Sequence, residues 1–353
     1  MRARSRLLAL SLLVACDHTS PFTTGSNGSS QAFQTGSPRR LTYNTGQDLT
    51  PAWLPDETAL VYTFQRPDRP DHDRCLGILP PDGGQITRTI CDVAAVSSDS
   101  TDALSDAAVA APDEMAYVFA TSLIGDITPT SSAIVQTSFA DPTTVRMVAS
   151  FPYFATDTLP HEGASHLRWL GRDTLVYLAE RVGYEGHCTG CPRDTVRTGV
   201  AIDLLDLSGP TPQVHVLGGT RYASSVAASS TGGVIYFTLG GDSRVYRRVL
   251  AGGTDSVVFD FGGAGIARDV QVAGSRLVAV VGGSVTYGFD PVLGYPVQRD
   301  SGGPLHLVDL TLGTDVLVSD TLLRHPALSP SGKRLVAELY TGALSDLWEF
   351  TLP

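Results

Sequence analysis

Two short motifs in this sequence carry residue types that can do chemistry. Cys188-Thr189-Gly190-Cys191 is a C-x-x-C, the spacing found in redox-active thiol pairs and in half of a zinc site, and His187 stands beside it. No second cysteine pair completes a zinc site, no strand-helix-strand pattern surrounds the motif, and no histidine follows Cys191 as in c-type haem attachment. The pattern therefore favours a local structural disulfide between Cys188 and Cys191.

The second motif, Asp300-Ser301-Gly302-Gly303-Pro304, is similar to the nucleophile loop of chymotrypsin-like serine proteases. His187 and Asp203 precede it in the order of a His-Asp-Ser triad. However, Arg299 occupies a position that is glycine in that family, and His187 and Asp203 are only sixteen residues apart. The flanking sequence also fits the repeats described below. We therefore predict a strand-connecting loop here and assign no catalytic residue.

The N-terminus indicates export. Residues 1–15 contain three arginines, an apolar run and Ala15 before Cys16, the layout of a cleaved signal that is too short to span a bilayer. The tetrad Leu13-Val14-Ala15-Cys16 resembles the lipobox of bacterial lipoproteins, whose cysteine is acylated and becomes the new N-terminus. The alternative is an ordinary signal with an incidental cysteine. Lipidation at Cys16 would anchor the chain in the cell envelope, either periplasmic or surface-exposed, and the sequence leaves the choice of membrane open.

The composition of the mature chain limits its partners. In the segment 16–37, the residues that follow Cys16 are rich in Ser, Thr and Gly, which predicts a flexible tether. The net charge is −11, and removal of the signal's three arginines leaves 22 basic against 36 acidic residues, or −14. Such a surface repels phosphate backbones, which argues against a nucleic-acid partner.

Four cysteines remain after Cys16, an even number in an oxidising compartment, and predict two disulfides. Cys75 and Cys91 lie almost symmetrically about the turn at residues 80–84. A two-stranded hairpin would bring them opposite each other, so we predict a Cys75–Cys91 bridge in addition to the Cys188–Cys191 bridge.

Residues 38–353 are built from a repeated unit. Trp-Leu-Pro-Asp-Glu-Thr-Ala-Leu-Val-Tyr at Trp53 matches Trp-Leu-Gly-Arg-Asp-Thr-Leu-Val-Tyr at Trp169, and Ala327 begins a related turn and apolar strand. Intervals of 43 to 59 residues separate the matching apolar runs, which predict four-stranded units. The runs begin at Leu60, Ala116, Leu175, Val234, Leu277 and Leu335.

Further strands complete each unit except the last. Third strands are predicted at 75–79, 133–137, 200–207, 244–250, 305–310 and 346–351, and fourth strands begin at 86, 144, 213, 255 and 315. The chain ends before a sixth fourth strand. Residues 39–43, RRLTY, are predicted to supply that strand, which would remove an open sheet edge by joining the N-terminus to the last unit.

The units beginning P-A-W-x-P-D at Pro51 and P-A-x-S-P-S-G-K at Pro326 resemble the WD-like repeats of TolB-type six-bladed β-propellers. The resemblance covers residues 38–353 and is weaker near Ser229 and Ala273. It implies an all-β, six-bladed propeller closed by the N-terminal strand. Members of that family bind, scaffold or catalyse, so the resemblance alone does not fix the function.

The remaining candidates lie where the innermost strands begin. One column through the repeats could face an axial funnel, the usual ligand site of the architecture. Two histidines and an arginine there could hold a carboxylate or a metal, although no spacing is diagnostic; solvated polar groups at a channel mouth are the alternative. The column is Thr50, Ala107, His166, Ser224, Arg268 and His325, with Asp106, Asp269 and Arg324 beside it.

Two functions follow from these patterns. The first is a non-catalytic binding or scaffold propeller, monomeric and anchored in the cell envelope, that takes an envelope protein or a small anionic ligand in a locally positive funnel. The second is an envelope hydrolase or polysaccharide lyase that uses the funnel. The first is favoured because no set of acid, base and nucleophile recurs at a recognisable spacing. No metal or cofactor is predicted.

Overall fold

Short antiparallel strands account for most of the described chain. The computed structural model describes residues 38–44, 46–66, 73–91, 100–111, 113–123, 131–152, 161–185, 194–230, 232–283, 285–290, 295–340 and 344–352. Cys16, the tether and the Cys188–Cys191 pair lie outside these ranges. Within them there is no α-helix, only a single 3₁₀ turn at Gly262–Ala264. No helix in this part of the chain is long and apolar enough to cross a membrane.

The strands follow the predicted apolar runs. The first half of the chain contains β1 (Arg39–Arg40), β2 (Asp48–Trp53), β3 (Leu60–Gln65), β4 (Arg74–Leu79), β5 (Arg88–Ile90), β6 (Ser100–Ala111), β7 (Glu114–Leu123), β8 (Ser131–Ser138), β9 (Val145–Pro152), β10 (His161–Trp169), β11 (Thr174–Glu185), β12 (Asp194–Asp206) and β13 (Gln213–Val216). The second half contains β14 (Ala223–Ala228), β15 (Val234–Leu239), β16 (Arg244–Val249), β17 (Thr254–Asp260), β18 (Ala267–Ala273), β19 (Arg276–Val281), β20 (Val285–Asp290), β21 (Tyr295–Asp300), β22 (Gly303–Asp309), β23 (Thr314–Leu328), β24 (Arg334–Tyr340) and β25 (Ser345–Thr351).

These strands pair as consecutive antiparallel meanders. β2 to β5, β6 to β9, β10 to β13 and β14 to β17 each form one, and β18, β19, β22 and the first part of β23 form the next. Two details differ from the sequence prediction. The predicted strand at 315–319 and the one after it are a single strand, β23, whose second part pairs with β24. An extra hairpin, β20 with β21, interrupts the meander between β19 and β22.

The N-terminal strand pairs with the last strand, as predicted. Arg39 lies opposite Glu349 and Arg40 opposite Trp348, in antiparallel register. The pairing continues beyond β1, because the Leu41 amide donates to the Leu347 carbonyl at 2.8 Å and the Leu347 amide donates to the Thr42 hydroxyl at 3.0 Å. β1 therefore completes a four-stranded meander with β25, β24 and the second part of β23.

The apolar core lies between successive meanders. Leu41, Leu60 and Tyr62 from the first part of the chain pack with Val336 and Leu347 near its end, and all five are fully buried. Tryptophan indoles add hydrogen bonds between units, since each donates to the first strand of another unit. The bonds are Trp53 to the Ala327 carbonyl and Trp169 to the Ala108 carbonyl, both at 3.1 Å. The matching roles of Trp53 and Trp169 explain why their surrounding sequences match.

The Cys75–Cys91 disulfide is present, as predicted. Cys75 is buried on β4, and Cys91 directly follows β5, so the bridge crosses the hairpin that joins these strands. The cysteines are 16 positions apart. Closing a loop of this length stabilises the fold by roughly 3 kcal/mol in the chain-entropy model.

We therefore expect the Cys75→Ser/Cys91→Ser double variant to lose about 3 kcal/mol of unfolding free energy, measured by urea denaturation under non-reducing conditions. The Cys188→Ser/Cys191→Ser variant is the matched control, because its reduction breaks only the Cys75–Cys91 bridge and should cause the same loss. Non-reducing peptide mapping should recover residues 75 and 91 in one linked peptide, and free thiols at both positions in the oxidised protein would contradict the assignment.

Candidate functional site

A β-bulge interrupts the first strand of every meander. The register of β2, β6, β10, β14, β18 and the second part of β23 shifts against the following strand. At five of these places the bulged residue has left-handed backbone, with φ of 44° at Thr50, 49° at Asp106, 54° at His166, 48° at Asp269 and 44° at His325. Such backbone is uncommon outside glycine. Its recurrence at the same place in the repeat indicates a feature that the fold maintains.

The side-chain types at these bulges follow an order that repeats after three units. A hydroxyl, a carboxylate and an imidazole occur in turn, and then again. The six bulge residues are Thr50, Asp106, His166, Ser224, Asp269 and His325. The sequence column placed Ala107 and Arg268 where the structure has Asp106 and Asp269. The turn between the first and second strands has two residues in these two units and four to six in the others, so an alignment based on the apolar runs alone was wrong by one position there.

The two halves of the pattern also repeat their contacts. Asp106 Oδ1 accepts a hydrogen bond from the His166 backbone N at 3.0 Å, and Asp269 Oδ2 accepts one from the His325 backbone N at 3.2 Å. The two hydroxyl members each contact a threonine of the next strand, Thr50 with Thr63 at 3.0 Å and Ser224 with Thr238 at 2.8 Å. Each carboxylate thus fixes the backbone of the histidine in the following unit.

Asp269 joins both histidines. His166 Nε2 lies 3.3 Å from Asp269 Oδ1, and the His166 and His325 rings face each other with centroids 6.2 Å apart. Burial alone would raise the pKa of Asp269, but the His166 hydrogen bond and the charge of His325 hold it well below its usual range. Both imidazoles remain partly exposed, with 19% and 29% of their side-chain surfaces accessible. Each imidazole therefore keeps surface that a ligand can contact.

A buried carboxylate that the sequence analysis did not single out holds His325. Glu338 on β24 is completely buried; it forms an ion pair with Arg324 and lies 2.7 Å from His325 Nδ1. Burial disfavours the imidazolium, but the hydrogen bond and charge of Glu338 raise the pKa of His325 to about 9. The same two cations lower the pKa of Glu338 against the effect of its burial. His325 is therefore a cation at neutral pH. The only sequence signal was one acid inside the apolar run LVAELY.

Arg168 is a second group that the sequence analysis missed. It lies just after the β10 bulge, donates Nη1 to the Leu167 carbonyl at 2.8 Å and faces the Gln271 amide oxygen. Burial lowers the pKa of Arg168, and the charges of Asp106 and Asp269 act in the opposite direction. Its guanidinium therefore balances the carboxylates among the bulge residues.

Arg268, a predicted funnel residue, points elsewhere. Its guanidinium pairs with Asp300 at 2.8 Å and donates to the carbonyls of Gly282 and Gly302 at 2.8 and 2.9 Å. It is buried and fastens both ends of the segment that contains the β20–β21 hairpin. Ser301 lies in this same loop, where its hydroxyl donates to the Gly302 carbonyl at 3.2 Å. Arg268 is thus a structural clamp.

The described cluster is charge-balanced. Three carboxylates, Asp106, Asp269 and Glu338, stand with three cations, Arg168, Arg324 and His325. The sequence analysis predicted a local positive charge because it counted Arg268 and did not count Glu338. Within the described residues, no group of three or more His, Cys, Asp or Glu side chains is arranged to hold a metal ion.

The bulges lie within the first strands: two residues after the start of β2 and of β18, near the middle of β6, and past the middle of β10. The connections between second and third strands, and between one meander and the next, leave from the end at which the first strands begin. Of the connections with seven or more residues, all but 80–87 leave from this end, including 66–73, 91–99, 153–160 and 282–302. We call it the long-connection face, and the opposite end the tight-turn face. The connections at the long-connection face are therefore the ones that vary most in length.

Comparison with known proteins identifies the fold. No protein-family model matches the sequence, and no curated protein matches it either. Among solved structures, TolB from Acinetobacter baumannii is 16% identical, with a TM-score of 0.52 over 87% of this chain and 64% of the TolB chain. A luciferin-regenerating enzyme is 11% identical, with a TM-score of 0.53 over 89% of this chain and 95% of that one. A gluconolactonase from Xanthomonas campestris is 14% identical, with a TM-score of 0.52 over 90% and 89%.

These likenesses confirm the predicted TolB-like β-propeller fold. The chain spans less than two thirds of the TolB structure that it matches. At such identities the comparison concerns the fold alone, and the matched proteins differ in what they do.

Proposed function

We propose that this chain is a lipid-anchored protein of the bacterial cell envelope that binds another envelope protein through the long-connection face of its propeller. In this proposal residues 1–15 are the export signal, Cys16 carries the lipid, the rest of 16–37 is the tether, and 38–353 form the binding domain. It acts as a monomer and without a cofactor. Its acidic surface argues against nucleic acid as a partner.

The domain in this proposal is a closed six-bladed propeller. One support is that the first strands contact one another in sequence, β2 with β6, β6 with β10, β10 with β14, β14 with β18 and β18 with β23, and that β23 contacts β2. A second support is the apolar cluster that unites Leu41 and Leu60 with Val336 and Leu347. Closure by β1 leaves no first or last sheet edge free for association with other chains.

The observation that carries the binding proposal is the bulge that recurs in each first strand. Left-handed backbone at residues other than glycine is unfavourable and persists where the surrounding structure or a function maintains it. Here it presents His166 and His325, both partly exposed, from the first strands of two units. Because the cluster is charge-balanced, it suits a polar protein segment with donors and acceptors better than it suits a compact anion.

In this proposal the tether joins the domain at the tight-turn face, opposite the binding face. β1 starts at Arg39, whose guanidinium contacts Asp82 in the turn between β4 and β5 at 3.1 Å. That turn belongs to the tight-turn face. In the proposal, the anchored chain therefore keeps its attachment and its binding face at opposite ends of the domain, and the partner approaches without competing with the tether.

Site-specific photo-crosslinking in intact cells tests the binding face. We expect a crosslinking residue at position 224, among the bulge residues, to capture a discrete partner. The same residue at position 333 should capture none, because Lys333 is exposed at the tight-turn face. His166→Ala should reduce the position-224 crosslink at least tenfold while it leaves the melting temperature within a few degrees. Equal capture from both positions, or an unchanged crosslink in His166→Ala, would contradict this binding face.

A second candidate function is an envelope hydrolase or polysaccharide lyase. The observation in its favour is the contact between His166 and Asp269, since a carboxylate that orients an imidazole is a common arrangement for a general base. A matched enzyme of similar fold, the gluconolactonase, shows that propellers of this kind support catalysis. Turnover of an envelope polysaccharide by the wild type, lost in His166→Gln, would favour this second function over binding alone.

A further inference from the structure

A buried carboxylate sits at the junction between the two ends of the chain. Asp48 begins β2 and is completely buried. Its backbone N donates to the Ser345 hydroxyl at 3.0 Å, and that hydroxyl donates to the Asp48 carbonyl at 3.0 Å. Asn44 Nδ2, at the end of the N-terminal closing segment 39–44, donates to Asp48 Oδ1 at 2.7 Å. Asp48 therefore touches the closing segment and the last strand at once. We call this place the seam.

We propose that Asp48 makes the seam a proton-operated latch, in which the closing segment is held firmly while Asp48 carries a proton and is released more often once Asp48 is ionised. The inference concerns regulation of the fold and does not depend on which partner the long-connection face binds.

No cation neutralises the Asp48 carboxylate. Among the described residues no Arg, Lys or His forms an ion pair with it, and its Oδ2 atom has no hydrogen-bond donor there. Carboxylates are almost never fully buried in proteins without such a partner, because the charged form loses its hydration. The site is therefore built for a protonated acid more than for a carboxylate.

The charged groups that act on Asp48 come from the last two strands of the chain. Asp346 on β25 and Glu338 on β24 both act on it as negative charges. Each is already paired: Asp346 with Arg40 at 2.7 Å, and Glu338 with Arg324 and His325. The Tyr62 hydroxyl, which Asn44 contacts at 3.2 Å, is the remaining titratable group beside Asp48. The nearby cations are thus engaged with other acids.

Burial raises the pKa of Asp48 to about 7, and the charges of Asp346 and Glu338 add to this effect, while hydrogen bonds from Thr42 and Asn44 oppose it. When the seam opens, Asp48 is hydrated and its pKa returns to the ordinary value for aspartate, about 3.9. Between these two values the closed form holds a proton that the open form has lost. Raising the pH from about 4 to about 7 therefore favours opening by up to tenfold per pH unit, and above about 7 the effect levels off.

This window is distinct from that of the neighbouring histidine. The pKa of His325 is raised to about 9, so its stabilising contribution is complete below about 6.5, its ordinary value, and is lost as the pH rises from there to 9. Glu338 and Asp269 have lowered pKa values, and their contributions change only at more acidic pH. A change of the opening constant with pH between 4 and 6.5 therefore reports on the ionisation of Asp48.

Amide hydrogen exchange of the full chain tests the latch. The reporters are the amides of Leu41 and Leu347, whose bonds to the Leu347 carbonyl and the Thr42 hydroxyl hold the closing segment. After correction for the intrinsic rate, the wild-type opening constant should rise at least thirtyfold from pH 4.5 to 6.5. Asp48→Asn keeps the shape and cannot ionise, so its opening constant should change less than threefold over the same range.

Asp82→Asn is the matched control, because it removes an exposed carboxylate that contacts Arg39 in the same segment. It should shift the opening constant by one factor at every pH and retain the wild-type slope. Equal slopes in wild type and Asp48→Asn would overturn the proposal. If Asp48→Asn does not fold, carbon NMR titration of the Asp48 carboxyl in the wild type decides the matter: a midpoint near 7 supports the latch, and a midpoint below about 5 overturns it.

Discussion

Deleting residues 37–43 is expected to cost at least about 4 kcal/mol of stability, the range for removal of a large buried side chain, and to lower the melting temperature by about 8 °C or more. The deletion removes Leu41, which is fully buried, and the strand that pairs with β25. It also breaks the pairs of Arg39 with Glu349 and of Arg40 with Asp346. With β25 left as an exposed edge, we expect self-association as well.

Thermal unfolding and light scattering after size exclusion measure the two effects. Deletion of residues 19–25 is the control, because it shortens the chain equally within the tether predicted from composition. That variant should unfold at the wild-type temperature and remain monomeric. If the two deletions lower the melting temperature to the same extent, the N-terminal strand does not hold the ends of the chain together.

The strand order was predictable because its signals are local. Apolar runs beginning at Leu60, Leu175 and Leu335 each follow a short polar turn, and each lies in the second strand of a meander. The pairing of Arg39 and Arg40 with the last strand was predictable because the final unit had one predicted strand fewer than the others. Repetition thus supplied long-range information that a single strand cannot carry.

The site was less predictable because its contacts join distant parts of the chain. The turns between first and second strands differ in length, which is why Asp106 and Asp269 were placed beside the column and not in it. Arginine is a residue type that often binds ligands, so the sequence suggested this role for Arg268. Only its contact with Asp300 in the structure identifies it as a structural clamp. In the sequence, Glu338 is one acidic residue within an apolar strand. Only the structure shows that Arg324 lies beside it. Charge balance of this kind depends on packing and not on sequence spacing.

Replacing Glu338 by alanine is expected to destabilise the protein by about 3–5 kcal/mol, because it leaves buried cations without their partner. Arg324 and His325 both depend on this fully buried carboxylate. The variant should also change the titration of His325. Burial alone lowers the pKa of an imidazole, so the value should fall from about 9 to near or below the ordinary 6.5 once Glu338 is absent. Urea denaturation and proton NMR titration of the His325 ring measure the two effects.

Two further variants separate charge from packing. Glu338→Gln retains the size of the side chain and can still accept a hydrogen bond, so it should restore part of the lost stability but leave the pKa of His325 low. Glu57→Ala removes a partly exposed glutamate that bonds to Ser331 on the tight-turn face, and it should cost no more than about 1 kcal/mol. A pKa of His325 that stays near 9 in both Glu338 variants would show that another group charges the imidazole.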